Sequence, residues 1–155
     1  MTDLEVVEGL IKKRRSIRKY TNRQLTRDEI NKLVEVAMLV PSAGAIHPLS
    51  VHVVPNDRQE KLCIAALGQT AVREASVAII ITANVERMLG KYRSRGLRYA
   101  YMEAGHAGQN VALTALAMGL DTVMVGAFVD ERVIDVMELT SKDLPLYIIC
   151  VGEKG

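Results

Sequence analysis

The sequence predicts one three-layer domain of the α/β or α+β class, a single sheet covered by helices on both faces. Three observations carry this. The chain has 155 residues, 49% of them hydrophobic, a size at which one core is expected. Its apolar spacing alternates between helical and strand periods in the order α-α-β-α-β-α-β-α-β, with four strands and enough helix to cover both sides of them. No internal repeat or low-complexity segment interrupts that order. Periodicity alone leaves a parallel and a mixed sheet both open.

The first helix starts at Thr2-Asp3-Leu4-Glu5, which has capping-box spacing, and continues through Leu4, Val7, Leu10 and Ile11 at helical intervals. Thr26-Arg27-Asp28-Glu29 repeats the box, and Ile30, Leu33, Val34, Ala37 and Met38 form an apolar stripe that Pro41 ends. The segment Pro41 to Pro48 reads as a turn-forming loop leading into a strand from Ser50 to Pro55. Asn56 to Leu67 is expected to be helical, with Gly68 as its stop. Val77 to Ala83 is short, continuous and β-branched, the pattern of a central strand. After a short helix from Asn84 to Leu89, Gly90 to Gly96 reads as a charged loop. The longest helix runs from about Leu97 to Met118 and stops at Gly119. It is apolar on most faces and rich in alanine and glycine, which suits a helix packed on several sides. A strand from Asp121 to Phe128, a helix from Glu131 to Leu139 and a strand from Leu146 to Val151 complete the order.

Composition excludes several function classes. The longest uncharged apolar run, Ser76 to Val85, falls well short of the ~20 residues a membrane-spanning helix needs. The first ten residues hold three acidic side chains and no basic leader, so a secretion signal is not expected and a cytoplasmic location follows by default. Cys63 and Cys150, the only cysteines, have neither the number nor the spacing of a disulfide framework or zinc site. No Gly-x-Gly-x-x-Gly follows a strand and no Walker A loop is present, which argues against a nucleotide held through those motifs. Glu103 and His106 have the Glu-x-x-His spacing of di-iron bundles, but such sites need two such helices, so no metal site is expected. Glu103, His106 and Asn110 share one face of the long helix, and a polar stripe on an apolar helix needs hydrogen-bond partners.

The formal net charge is +2, yet Lys12 to Lys19 alone contributes six positive charges, so the rest of the chain sums to −4. A local basic cluster is consistent with a solvated turn, a nucleic acid or one compact anion. Nucleic acid is disfavoured because aromatics make up only 4% of the chain and no extended basic stripe accompanies the cluster. Arg14-Arg15-Ser16-Ile17-Arg18 offers forked guanidinium donors and a hydroxyl within five residues, a donor set matched to one phosphate monoester.

Taken together, Arg-Arg-Ser-Ile-Arg-Lys-Tyr (14–20), Pro-Ser-Ala-Gly-Ala-Ile-His-Pro-Leu (41–49) and Gly-Ala-Phe (126–128) resemble the nitroreductase superfamily, in the same order and at comparable intervals. Lys91-Tyr92, Arg95 to Tyr99, Glu103 to Asn110 and Pro145 to Tyr147 are most similar to its SagB-type branch, which includes enzymes that oxidise thiazolines and oxazolines. The resemblance implies an α+β three-layer fold with a mixed, largely antiparallel sheet, and an intertwined homodimer with its long helix at the interface. It also implies one FMN-binding domain over residues 1–155, with two FMN molecules held between subunits.

By this resemblance Arg14, Ser16 and Arg18 would hold the FMN phosphate and ribityl chain, with Arg15 a weaker candidate and Lys154 a substitute for the longer basic tail of many relatives. Pro41, Ser42, Ala43 and Gly44 would approach the isoalloxazine from the other subunit, and backbone at Val125, Gly126 and Ala127 would face its N5 edge. Lys91 and Tyr92 would handle protons. The implied function is FMN-dependent ping-pong transfer of two electrons, with NAD(P)H as a transient donor to a small organic acceptor. Alternatives are a SagB-like dehydrogenase acting on a small heterocycle or peptide azoline, and a flavin-binding protein without turnover.

Overall fold

The computed structural model describes residues 1–155 throughout. Both capping boxes form. The Glu5 amide donates to the Thr2 hydroxyl at 3.3 Å and the Glu29 amide to that of Thr26 at 3.2 Å, while Glu5 and Glu29 each accept from the capping residue's own amide. They start α1 (Asp3–Lys13) and α2 (Arg27–Met38). Strand β1 (Leu49–Val53) follows the loop, and then come α3 (Gln59–Ala65), α4 (Thr70–Glu74) and β2 (Val77–Asn84). The remaining elements are α5 (Val85–Tyr92), α6 (Arg95–Ala117), β3 (Asp121–Val125), α7 (Asp130–Met137) and β4 (Asp143–Gly152). No helix is long and apolar enough to cross a membrane.

The question left open by periodicity has an antiparallel answer. The sheet order is β1-β2-β4-β3, and all three strand pairs are antiparallel. The only parallel pairing is an isolated bridge between Ser16 and Thr122. Strand alternation divides the core in two. Ile79, Ile81 and Ile149 face Leu33 of α2, Met88 of α5 and Ala104, Ala107 and Val111 of α6. Ile80 and Ile148 face Leu62 of α3, Val72 of α4 and Val133 of α7. Pro145, which cannot donate to a ladder, sits beside the register shift between Ile81 and Thr82, where a missing donor is tolerated.

Three expectations need correction. The charged loop from Gly90 is largely helical: the Asn84 side chain caps α5 by accepting from the Arg87 amide at 3.1 Å, and Met88 anchors the helix in the core. Helix α5 therefore runs to Tyr92 and turns into α6 through Arg93, at φ 53°, and Ser94. Helix α4 was not anticipated; five residues are too few for a periodic signal. Strand β3 ends at Val125, before Gly126 to Phe128. Both glycine stops hold, with Gly68 at φ 75° and Gly119 at φ 76°.

Helix α1 buries none of its residues. Its apolar stripe is open to solvent, with Leu4, Val7 and Ile11 at 67%, 51% and 53% exposure. On α6, Tyr101 and Met102 are also exposed.

Where α5 turns into α6, a Cβ on Gly96 would stand 2.5 Å from the Met88 carbonyl oxygen, which is backbone that cannot yield cheaply. Gly96→Ala is expected to cost about 1–3 kcal/mol through overpacking, read as a lower urea midpoint. The same exchange at Gly105, whose surroundings are open, should be neutral or stabilising.

Candidate functional site

The candidate residues fall into two groups at opposite edges of the sheet. The first lies along edge strand β3. Residues 14–20 leave α1 as extended chain, and the Ile17 amide donates to the Thr122 carbonyl at 2.9 Å. Tyr20 anchors this segment: its hydroxyl donates to the Ile17 carbonyl at 2.5 Å and lies 3.4 Å from that of Cys150. Its ring fills the space that a side chain at Gly152 would need, 2.8 Å from that Cβ position. Lys154 pairs with Tyr20 in an isolated antiparallel bridge, so it joins the Arg14–Arg18 segment at the same end of β3.

Arg14, Ser16, Arg18 and Lys154 make no side-chain hydrogen bond or ion pair within the chain. Arg15 differs. Its guanidinium donates to the Lys12 and Arg14 carbonyls, both at 2.8 Å, closing the end of α1.

Four residue steps separate Thr122 from Gly126, about 13 Å of strand. At that far end the amides of Gly126, Ala127 and Phe128 donate to no acceptor in the chain. A hollow of about 340 Å³ opens there between Gly126 and Phe128, the α6 residues Tyr101 and Ala104, and Pro145 and Tyr147 of β4. Edge strand β3 thus has free cationic and hydroxyl donors at one end and free backbone donors beside a hollow at the other.

The second group surrounds the loop before β1, at the opposite edge. Glu103 of α6 is 3% exposed. One of its carboxylate oxygens, Oε1, accepts from the Ser42 hydroxyl at 3.0 Å and from the Ala43 amide at 2.9 Å; Oε2 is buried without a partner. Ser42 in turn accepts from the His47 amide at 2.9 Å, so one carboxylate organises the whole turn. Gly44, at φ 58°, presents bare backbone to two side chains. Lys91 donates to its carbonyl at 3.1 Å, and the Tyr92 hydroxyl fills the space that a Cβ at this position would need. Tyr92 packs edge-on against Tyr99 with ring centroids 5.0 Å apart. Pro41 is exposed at the mouth of this loop.

The structure therefore brings Ser42, Ala43 and Gly44 together with Lys91 and Tyr92, and brings Arg14, Ser16, Arg18 and Lys154 together with β3 and Gly126. It does not bring the two groups together within one chain, because β2 and β4 lie between β1 and β3. The polar stripe of α6 finds its partners, Glu103 on the loop and Asn110 on the Val36 and Leu39 carbonyls at 3.2 and 2.9 Å. His106 stays exposed, and no group of three His, Cys, Asp or Glu side chains is placed to hold a metal ion. Sequence reasoning missed Gln69, which donates to the Ala127 carbonyl at 2.8 Å.

The model of the nitroreductase family matches residues 11–69 and 59–153 of this chain. A Methanocaldococcus jannaschii protein named as a nitroreductase is 34% identical over 190 residues, covering 99% of this chain and 95% of its own. An NADPH-dependent oxidoreductase of Staphylococcus aureus is 26% identical over 96% of this chain, which spans 65% of that protein's length. Among solved structures, a Bacteroides thetaiotaomicron protein described as an NADH dehydrogenase/NAD(P)H nitroreductase superposes with a TM-score of 0.86 at 25% identity, covering 99% and 89% of the two chains. The NADPH:FMN oxidoreductase of Vibrio harveyi, complexed with NAD+, superposes with a TM-score of 0.85 at 20% identity over 96% and 69%, a likeness of fold.

Two predictions follow from the anchors. Glu103→Ala removes the one oxygen that accepts from both the Ser42 hydroxyl and the Ala43 amide and is expected to cost about 1–3 kcal/mol, with faster amide exchange at Ala43 and His47; Glu103→Gln, which keeps an acceptor, should cost less. Burial, and after it Cys150 and Asp121, raises the Tyr20 hydroxyl well above its ordinary value of 10.0. Burial, and after it Cys63, pushes the Cys150 thiol from 9.0 up to about 12. The unfolded chain releases these protons first, so stability that is complete below pH 9 declines as the pH rises. Tyr20→Phe should start less stable by roughly 1 kcal/mol and decline less steeply above pH 10, as read by thermal melts from pH 7 to 11.

Proposed function

The chain belongs to the nitroreductase family, a family of oxidoreductases, and from that premise we propose that it is an FMN-dependent oxidoreductase working as a homodimer, which takes two electrons from NADH or NADPH and delivers them to a small organic acceptor. The observation that carries this reading is the arrangement along β3. Free Arg14, Ser16 and Arg18 side chains lie at one end and three free amides lie beside a hollow at the other. These are the demands of an elongated ligand with a phosphate at one end and a polar-edged ring at the other. FMN, when bound, would supply two-electron redox chemistry, and a single site open to one substrate at a time fits ping-pong turnover.

The chain's own residues then divide the work. Arg14, Ser16, Arg18 and Lys154 hold the phosphate; Arg15, committed to carbonyls, adds charge only. Val125, Gly126 and Ala127 offer backbone to the ring's edge. The loop Pro41 to Gly44 lies at the far edge of the sheet, so it reaches the ring of a second copy, and small residues there leave room for a planar group. Lys91 and Tyr92, held against Gly44, stand where a proton could be exchanged with the acceptor. The uncovered stripe of α1 and the exposed Tyr101 and Met102 of α6 supply apolar surface for the dimer.

The meeting of Lys91 and Tyr92 at Gly44 favours a second reading, a SagB-like dehydrogenase that oxidises a small heterocycle or peptide azoline and passes electrons to oxygen. Anaerobic stopped-flow mixing separates the two. Rapid bleaching of the flavin by NADPH or NADH supports the first reading, and no bleaching by either argues for the second. Binding of FMN without turnover of any donor and acceptor pair would instead indicate a flavin-binding protein.

The purified protein, reconstituted with FMN and desalted, is expected to keep absorption bands near about 370 and 450 nm. Arg18→Ala should raise the FMN dissociation constant by roughly 10-fold or more, the loss of one charge-assisted contact. Loss of both bands on desalting would sink the cofactor assignment. Sedimentation equilibrium should give a dimer, and Ile11→Glu should shift it toward monomer while weakening FMN retention. A wild-type monomer that still holds FMN would overturn the shared site.

A further inference from the structure

We propose that Gln69 is a positioning residue whose side-chain amide sets the direction of the free Phe128 N–H in the Gly126–Phe128 turn. The proposal rests on the reading above, that this turn meets the ring of FMN.

Gln69 lies in the tight turn between α3 and α4, 58 residues from the backbone it holds. Its own main chain is fixed on both sides. The Gln69 amide donates to the Ala66 carbonyl at 3.2 Å, and the Gln69 carbonyl accepts from the Val72 amide at 3.0 Å and from the Cys63 thiol at 3.3 Å. The side-chain nitrogen has two hydrogens. One goes to the Ala66 carbonyl at 2.9 Å and the other to the Ala127 carbonyl at 2.8 Å. No donor capacity is left on that nitrogen for a ligand, so Gln69 acts on the protein itself.

What it fixes follows from peptide geometry. The Ala127–Phe128 bond is trans, as is every peptide bond in the chain, and a trans peptide is planar with its C=O and N–H pointing in opposite directions. Drawing the Ala127 carbonyl toward the α3–α4 turn therefore aims the Phe128 N–H away from that layer. Two residues on, the Val129 amide donates to the Ala65 carbonyl at 3.0 Å, so the turn is fixed on both sides of Phe128. Helix α6 covers the opposite face of the sheet from α3 and α4, and the hollow lies between Gly126, Phe128 and the α6 residues Tyr101 and Ala104. The N–H is thus turned toward the side where the hollow opens. Beyond Gly126 there is free space, with Tyr147 the nearest neighbour of its Cβ position at 3.8 Å. Nothing on that side orients the turn, and the task falls to Gln69.

The test compares Gln69→Leu, which removes donation, with Gln69→Glu, which keeps the size but places an acceptor against the Ala127 carbonyl. In the FMN-loaded protein the phosphate grip is untouched, so the FMN dissociation constant should stay within about 3-fold of wild type. At the N5 edge an N–H donor would stabilise the oxidised ring, because N5 is an acceptor only in that state and carries a hydrogen after reduction, so losing the aim should favour reduction. The expected change is roughly 10-fold in the two-electron equilibrium, about 30 mV upward, with kcat lowered and the KM for the donor unchanged. In the flavin-free protein the Val129 amide should exchange at least 10-fold faster in both variants. A merely structural Gln69 would lower the melting temperature and leave the potential where it was. An unchanged or lowered potential overturns the proposal. If the wild type retains no FMN, the flavin reading falls by itself, and unchanged Val129 exchange in the variants would then overturn the positioning separately.

Discussion

Helix α6 approaches its neighbours at distances that only absent side chains allow. At Gly108 a Cβ would stand 2.5 Å from the Met124 sulfur of β3, and at Gly96 equally close to the Met88 carbonyl of α5. Ala100, Ala104 and Ala107 fill most of the buried positions between them, and Ala112 and Ala115 continue the small-residue face beyond Gly108. This close seating brings Ala104 to the hollow beside Gly126 and Glu103, one residue earlier, under the Ser42 turn. One helix therefore sets the position of both halves of the site. A larger residue at Gly96 would meet backbone and lift the helix from α5, which carries Lys91 and Tyr92, whereas one at Gly108 would first have to displace the flexible Met124 side chain.

Burying a carboxylate is costly unless its oxygens are satisfied, and Glu103 satisfies only one of them inside the chain. The satisfied oxygen holds the start of a loop that sends Ile46 against the core but leaves its tip outside it. Pro41, Gly44 and Ala45 are exposed, and Gly44 lies at positive φ. The turn is thus held firmly from inside while the tip at Gly44 and Ala45 faces outward. Lys91 and Tyr92 close on it from above, which gives these two side chains a defined place although both are reached from solvent.

Much of the fold was legible because the signals were local or repetitive. Both capping boxes, the stops at Gly68 and Gly119 and the continuous β-branched run along Val77 to Ala83 each rest on a few neighbouring residues, and each appears where expected. The antiparallel order could not be read this way, since hydrophobic alternation is the same whichever direction a partner strand runs; the family resemblance supplied it. The short helix Thr70–Glu74 and the helical extension to Tyr92 escaped because so few residues cannot establish a period, and the flanking charges read as loop. In the site, Arg14, Ser16 and Arg18 were visible as a compact donor set. Gln69 was not, because its role depends on a contact 58 residues away and a lone glutamine in a turn carries no pattern. Arg15 resembled its neighbours in sequence and differs only in where its guanidinium goes.

The placement of the two groups has a consequence for how the site is completed. With β1 and β3 as opposite edges of a four-stranded sheet, three strand spacings, about 14 Å, separate the loop group from the β3 group across the width of the sheet. A ligand lying along β3 can therefore be gripped by one chain's donors and faced by a loop only if that loop comes from elsewhere. The exposed stripe of α1 follows the same logic from the energetic side, because Leu4, Val7 and Ile11 repeat at helical spacing yet each stays more than half exposed in its own chain. An amphipathic helix whose apolar face stays wet forfeits the burial that would stabilise it, whereas a second copy packed on that face would cover it. The same association would carry each loop toward the other chain's β3. Folding and site assembly would then draw on one interface, so a substitution that weakens the dimer weakens ligand binding without touching a ligand-facing residue.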